Sequence, residues 1–421
     1  SNSLDISCSK NIILPKNQTE QDLLSVFKSV LGENNISIDD DFFELGGDSL
    51  GAIKVSVEIF NKFNINIPVK DIFENSSIEN LAKIINNSEK ENKIGLTKVD
   101  VQDSYPLSAA QKRIYLSCSF SSKDSVLYNI PGGILFDKIP DFDKLEKCLQ
   151  TLINRHESLR TSFAIENDTI VQKINDNIKF KININNTEIS EDEFESVFKS
   201  FLKPFDLSKA PLLRAEAFKV KGGKSLLLVD IHHIVADGTS SQILIDELCK
   251  LYNGNKLDDI KFTYKDFANF ERNKIDSGEF KEAEVFWVNQ FESDIPVLNM
   301  PTVYNRPAVQ SFTGRKYKLA FDKETSSKII EFCKTYNVTP YMFLLSAYFV
   351  LLSKYSSQED IIIGSPVVGR NSAELYNIFG MFVNTLPIRA QLSHQQSFKD
   401  FLMRIKEITL NDFKYQDYPL D

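Results

Sequence analysis

Ile231-His232-His233-Ile234-Val235-Ala236-Asp237-Gly238 is the stretch whose reading organises the rest of this chain. It holds two of only four histidines in 421 residues. Histidine is the side chain that accepts and returns a proton near neutral pH, with an unperturbed pKa of about 6.5. Upstream, Ser225 to Ile231 is a short apolar run entered through Lys221-Gly222-Gly223-Lys224, which predicts a buried strand after a turn. Downstream, Asp237-Gly238 is turn chemistry. A helical period follows, with Ile243, Leu244, Leu248, Leu251 and Tyr252 on one face and Thr239 or Ser240 as the N-cap. The histidines therefore stand where a strand gives way to a loop, a common place for groups aimed into a crevice. On spacing alone, a pair of ordinary histidines, one buried and one solvated, is the equal alternative.

Length and composition bound the setting. The chain is too long for one ordinary core and predicts two or three domains. With 42% hydrophobic and 25% charged residues it has the composition of a soluble globular protein, and no apolar run is long enough to span a bilayer. A net charge of −9 argues against nucleic acid or an anionic membrane as partner and for proteins or small molecules. The cysteines, Cys8, Cys118, Cys148, Cys249 and Cys333, are odd in number and scattered, which argues against structural disulfides or a metal site and for a reducing cytoplasm. Cys148 and Cys249 lie in helical apolar patterns and are expected in the core. The opening Ser-Asn-Ser-Leu-Asp has no signal-peptide character and, lacking Met, is expected to belong to a longer polypeptide.

After an N-terminal flank, 1–16, residues 17–88 carry four short helical patterns and predict a small four-helix bundle. Leu23, Leu24, Phe27, Val30 and Leu31 mark the first helix, and Ile53, Val57, Phe60 and Phe63 the second. A short third piece covers Asp71-Ile72-Phe73, and Ser76 with Glu79 has capping-box spacing before the fourth. Gly46-Gly47 precedes Asp48-Ser49, so Ser49 is expected at the positive end of a helix, where it serves either as a plain N-cap or as the anchor of a phosphate ester. The string Phe43-Glu44-Leu45-Gly46-Gly47-Asp48-Ser49-Leu50 resembles the attachment motif of peptidyl carrier domains in nonribosomal peptide synthetases. That resemblance implies a 4′-phosphopantetheine arm on Ser49, added by a phosphopantetheinyl transferase and carrying an aminoacyl or peptidyl thioester.

Residues 89–104 are polar, lack a period and read as a linker. As a flexible tether it would span roughly 20–24 Å and favour delivery in cis. From Tyr105 the chain alternates strands and helices in an α/β or α+β pattern, and two lobes, 105–275 and 276–421, are expected to enclose a cleft. Trp287 is placed in a helix, Tyr341 to Leu352 in another, and Ile361 to Ile363 in a strand.

The order of short motifs in this region resembles that of condensation domains from the same synthetases. Ser108 to Tyr115, Arg155 to Phe163, His232 to Gly238, Tyr264 to Ala268, Gly380 to Arg389 and Tyr415 to Pro419 are similar to their first six motifs. The resemblance implies a two-lobed fold like that of chloramphenicol acetyltransferase, C-terminally incomplete here because the last strands and a seventh motif are missing. It implies amide-bond formation between the carrier-bound donor thioester and the amine of a downstream carrier-bound aminoacyl thioester, with an upstream adenylation domain as a further partner. By the same resemblance His233 is the catalytic histidine, and His232, Asp237 and Gly238 support it. Asp237 is expected to pair with an arginine, for which Arg160 is a candidate. Asn384 and Ser365 are tunnel candidates, with a hydrogen-bonded structural role as the equal alternative. A dual epimerising and condensing domain and a docking platform for a tailoring enzyme are the competing functions. Heterocyclisation is disfavoured, because those relatives have aspartate where His232 and His233 stand.

Overall fold

A computed structural model describes residues 12–47, 49–65, 67, 69–88, 95–120, 125–307 and 314–419. Cys8, Asp48 and the first part of the linker, 89–94, lie outside the described residues.

The carrier region forms helices α1 (Gln18–Leu31), α2 (Ser49–Phe63), α3 (Val69–Glu74) and α4 (Ile78–Asn87). Their apolar faces close on one core, in which Leu23, Phe27, Phe42, Ile72, Ile78 and Leu81 are fully buried. α1 is capped by Asn17, whose side chain accepts from Glu20 N, and ends at Gly32 in the left-handed region with φ 68°. The cap of α4 is Ser77, which accepts from Asn80 N, and not Ser76 as the capping-box spacing predicts. Ser76 is drawn away because its hydroxyl bonds the Asp41 carboxylate, next to the Asp41–Ser77 bridge.

The remainder begins with β1 (Tyr105–Pro106), α5 (Ala109–Phe120), β2 (Asn129–Phe136), α6 (Phe142–Arg155), β3 (Thr161–Glu166) and β4 (Thr169–Ile174). It continues through β5 (Asn183–Ile189), α7 (Phe194–Phe201), β6 (Leu213–Val220), β7 (Lys224–His232), α8 (Gly238–Tyr252) and α9 (Tyr264–Ser277). The C-terminal lobe holds α10 (Lys281–Gln290), α11 (Lys323–Thr335), α12 (Pro340–Ser356), β8 (Asp360–Val367), α13 (Ala373–Tyr376), β9 (Asn384–Gln391) and α14 (Phe398–Lys414). The N-terminal lobe is built on a sheet of order β2-β7-β6-β5 beside a smaller sheet β1-β4-β3, and the C-terminal lobe on the antiparallel pair β8-β9. β7 is central in its sheet, paired antiparallel on both sides, which explains why Leu226 to Leu228 read as a continuous apolar run. The strand ends at His232, opposite Asn129.

Two expectations change here. The linker is not a free tether over its second half: Leu96 is buried against Phe262, Tyr264 and Phe382, and Val99 N donates to Asp266 Oδ1 at 2.8 Å. That anchorage uses an α9 N-terminal carboxylate with backbone donors to satisfy, a partner that linker composition does not reveal. Cys249 is exposed rather than core, while Cys148 is buried on α6.

The carrier and the large domain touch. Lys334 Nζ donates to Glu44 O at 3.0 Å, and Val57 and Phe60 of α2 pack on Tyr376 of α13. The apolar core of the bundle is continuous with Cys333, Val338 and Met342 of the α11–α12 corner. The loop before Ser49 and the helix it starts thus form the side of the bundle that meets the C-terminal lobe.

Deep in that lobe, Asp412 of α14 is fully buried; Gln290 Nε2 donates to its Oδ1 at 2.8 Å and its Oδ2 has no hydrogen-bond partner among the described residues. Burial pushes this carboxyl up to about 7. A raised acid binds its proton more tightly in the folded than in the unfolded chain, so its contribution is fully present near pH 4 and declines as pH rises through about 7. Asp412→Asn is therefore expected to raise the melting temperature by a few degrees at pH 8, with the gain shrinking toward pH 5. Equal effects at both pH values, by differential scanning calorimetry, would contradict a buried, poorly compensated carboxylate.

Candidate active site

β7 delivers the two histidines into different environments. His232 is buried, its ring flanked by Phe205 at 5.8 Å and Tyr128 at 6.3 Å between centroids. Its Nδ1 accepts from Ile234 N at 3.2 Å, and its Nε2 lies 3.9 Å from Cys118 Sγ. The backbone bond assigns the ring proton to Nε2. Burial first, then the charges of His233 and Arg214, push its pKa down to about 4, so His232 is neutral near pH 7 and shapes the turn. His233 is half-buried; its backbone N–H is fixed to Tyr128 O at 2.7 Å, while its Nδ1 is buried and makes no hydrogen bond to the described residues. Ile234, Val235 and Ala236, all fully buried, anchor the loop beneath it.

The loop ends at Asp237, which caps α8 by accepting from Ser240 N at 2.7 Å. Thr239 and Ser240 are thus not the cap: a carboxylate one turn earlier takes that place. Asp237 does pair with an arginine, but it is Arg370, whose Nη2 lies 3.1 Å from both carboxylate oxygens, with the two side chains nearly inaccessible. Arg160 instead faces Asp176 at 3.0 Å and Glu157 at 3.7 Å. Arg370 spends its other amino group on Leu375 O and Ile378 O, each at 2.6 Å, and stacks on Phe382 at 4.0 Å. Gly238 is exposed, and a Cβ there would meet nothing within 4 Å.

The same knot extends along a strap of backbone, residues 379–384, that leads into β9. Side chains from the N-terminal half of the large domain hold it position by position. Ser158 Oγ donates to Phe379 O at 2.6 Å. Ser240 Oγ accepts from Gly380 N at 3.0 Å and lies 2.8 Å from Gly380 O. Tyr264 OH donates to Met381 O and meets Ser108 Oγ at 2.7 Å. Asp237 Oδ2 accepts from Phe382 N at 3.2 Å, and Arg113 donates to Val383 O and Asn384 Oδ1, both at 3.2 Å. A Cβ on Gly380 would lie 1.9 Å from the Tyr264 ring, so only glycine lets strap and α9 approach this closely. Ser108, Ser158, Asp237, Tyr264 and Gly380 belong to the first five sequence motifs, and Asn384 Nδ2 reaches the sixth by donating to Gln416 O and Tyr418 O, each at 3.0 Å. The motifs converge on an inter-lobe clasp, and most of their polar residues lock the lobes around the His233 loop.

The remaining candidates separate from the histidines. Asn384 belongs to the clasp, and Ser365 Oγ pairs with Tyr341 OH at 2.7 Å within the C-terminal lobe. Sequence reasoning missed Arg370, which sits in a polar loop after Gly369, where nothing in the pattern distinguishes it from a solvated cation, and it did not show that Ser158 and Ser240 bond the strap.

At the other end of the chain, Ser49 is the first residue of the 15-residue α2. The turn ahead of it folds over Phe42, which is fully buried, and Gly47 packs so tightly that a Cβ would lie 2.2 Å from the Phe42 ring. An alcohol-bearing residue on a helix N-terminus, set by a tight glycine turn, fits a phosphodiester-linked arm. Among the described residues, no group of three or more His, Cys, Asp or Glu could hold a metal ion, and no single helix is long and apolar enough to cross a membrane.

Fold and site together define a helical carrier bundle joined to a two-lobed, chloramphenicol-acetyltransferase-like domain with a histidine loop clasped where the lobes meet. Residues 101–421 match the condensation-domain family and residues 21–85 the phosphopantetheine attachment site family; the chain belongs to the condensation-domain family and carries a phosphopantetheine attachment domain ahead of it. It is 41% identical over 409 residues to tyrocidine synthase 3 of Brevibacillus parabrevis, covering 97% of this chain and 6% of that protein. Bacitracin synthase 2 of Bacillus licheniformis is 40% identical over 407 residues, covering 97% of this chain and 16% of that protein. The chain thus spans a small fraction of the length of these relatives. In fold it is similar to the X-domain from teicoplanin biosynthesis, with a TM-score of 0.71 at 22% identity over 77% of this chain and 74% of that one. It is also similar to the condensation domain of the Monacolin K polyketide synthase, with a TM-score of 0.66 at 23% identity over 76% and 75%.

Proposed function

We propose that this chain forms an amide bond, passing an aminoacyl or peptidyl group from a thioester carried on Ser49 to the amine of an aminoacyl thioester on a downstream carrier. The observation that carries the reading is the histidine loop: His233, with its unpaired Nδ1, stands on a loop clasped between two lobes, in the same chain as a carrier bundle seated on one of them.

When bound, 4′-phosphopantetheine supplies a mobile thiol that presents the acyl group as a thioester and departs as its sulfur leaving group. Ser49 would hold it through its hydroxyl. The attacking amine forms the C–N bond as the C–S bond breaks, and the proton it sheds ends on the departing sulfur. His233 would orient that amine and accept and return the proton, a role supported by its place on the clasped loop. An α-amine titrates at about 7.7–8.0, so a large share is already neutral near pH 8 and much of the rate enhancement falls to positioning. His232 stays neutral and holds the turn, while Asp237, Arg370 and the 379–384 strap fix the lobes so that two tethered reactants meet in register. An upstream adenylation domain, a downstream carrier and a phosphopantetheinyl transferase are the partners this chemistry requires. A reducing cytoplasm is the proposed location, supported by the unpaired thiols of Cys118, Cys148, Cys249 and Cys333.

The test is intact-mass analysis after incubation with aminoacyl-coenzyme A and a phosphopantetheinyl transferase, followed by addition of a loaded acceptor carrier. The expected result is a mass gain on the chain and then a dipeptide on the acceptor. Ser49→Ala should abolish both steps. Loading without transfer would overturn the amide-forming assignment, and loading of Ser49→Ala would overturn the choice of serine.

A further inference from the structure

Asn129 opens β2, the edge strand of the larger N-terminal-lobe sheet, directly opposite His232. Strand ends at a sheet edge are where local opening starts, and asparagine is a poor strand former. Its side chain works against that opening. Nδ2 carries two N–H groups, and they go to two different segments: Asp230 Oδ2 on β7 at 2.7 Å and Lys203 O, in the loop after α7, at 2.9 Å. Both partners are acceptors, which assigns the amide nitrogen to this side. Asp230 is fully buried and lies on the same face of β7 as His232, two residues ahead of it. Arg214 braces the junction from β6, opposite Asp230. Its Nη2 donates to Lys203 O at 2.7 Å, its Nε lies 3.3 Å from Asp230 Oδ2, and its guanidinium sits 3.6 Å from the centroid of the Phe205 ring, which flanks His232.

The residue before Asn129 carries this bracing to His233. Tyr128 O accepts the His233 backbone N–H at 2.7 Å, so the Asn129 amide steadies the acceptor on which the His233 backbone rests. We infer that Asn129 is a positioning residue for transfer: it pins the end of β2 to β7 and to the loop at Lys203, and so holds His233 in register with the reacting amine. Asn129 acts through His233 and not on the substrate. The inference rests on the proposed amide-forming reading.

A double-mutant cycle on the transfer rate separates positioning from a merely structural role. Wild type, Asn129→Ala, His233→Ala and the double variant are each loaded on Ser49 and followed in single turnover against a loaded acceptor carrier. A small misplacement of a catalytic group is costly, and Asn129→Ala is expected to lower the transfer rate by about tenfold or more, with loading of Ser49 unchanged. In the His233→Ala background the same substitution should change the rate by about twofold or less, because the group it positions is gone. Asn129→Thr, a better strand former whose single hydroxyl does not bridge both acceptors, should show the same loss and covers the case in which the alanine variant frays. Unchanged rates in both Asn129 variants, a loss as large without His233 as with it, or a loss seen only where the melting transition is also lost, overturns the positioning role alone. No transfer by the wild type, or equal rates for wild type and His233→Ala, overturns the reading beneath it and the inference with it.

Discussion

Asp237→Ala is expected to cost about 3–5 kcal/mol of folding stability, the range found when one partner of a buried ion pair is removed. The carboxylate is 1% exposed and receives Arg370 Nη2 on both oxygens, with Ser240 N, Ser240 Oγ and Phe382 N as its further donors. Its loss leaves the Arg370 guanidinium buried, with backbone carbonyls and the Ser240 hydroxyl as the remaining acceptors. The cost should appear in urea or thermal unfolding, and Arg370→Ala should show an effect of similar size. Because the two changes break one interaction, the double variant should be destabilised by clearly less than the sum. Unchanged melting with lost activity would refute the structural role and place Asp237 in the chemistry.

His233→Ala is expected to do the reverse. Its imidazole makes no hydrogen bond through Nδ1, and the backbone bond to Tyr128 O survives the substitution, so the fold should change little. Loss of a positioned acid-base group typically lowers rate by about 10²–10⁴-fold, and a decrease of at least about 10²-fold in transfer is expected here. His232→Ala should be costly to stability, because it empties a site between Tyr128 and Phe205 and frees Ile234 N. The adjacent histidines thus take separate roles. One is held neutral by burial and shapes the turn, and the other is left with an open nitrogen.

Local pattern carried much of this architecture and little of its cross-chain bonding. The apolar run before His232 reads as a strand because β7 is flanked by partners on both sides, and the period after Gly238 reads as a helix because α8 buries Leu244 and Leu248. The carrier bundle was legible from the apolar faces of α1 and α4, whereas α2 buries Ala52, Val55 and Ile59 in the core and turns Val57 and Phe60, two of the residues expected to mark its face, toward Tyr376 of the large domain. Asp237 as the cap was missed because three side chains in Asp237-Gly238-Thr239-Ser240 can cap, and spacing does not tell which one also meets a cation. Arg370 lies 133 residues from Asp237, and no periodicity connects them. The anchorage of Val99 and Leu96 was hidden for a related reason: a polar linker can supply backbone donors to a distant carboxylate without changing its composition. The motif order pointed to a shared site, and the geometry gives that sharing a physical cause, since the 379–384 strap needs a hydrogen-bonding side chain from each neighbouring motif.

If a group brought by Ser49 reacts at His233 inside this clasped junction, one single-turnover measurement should reveal it. The chain, loaded on Ser49, is mixed with a loaded acceptor carrier, and dipeptide on the acceptor is followed by mass for wild type and His233→Ala side by side. The expected result is transfer by the wild type and a rate at least about 10²-fold lower for His233→Ala at unchanged melting temperature. Equal rates for the two proteins would contradict a reaction at His233.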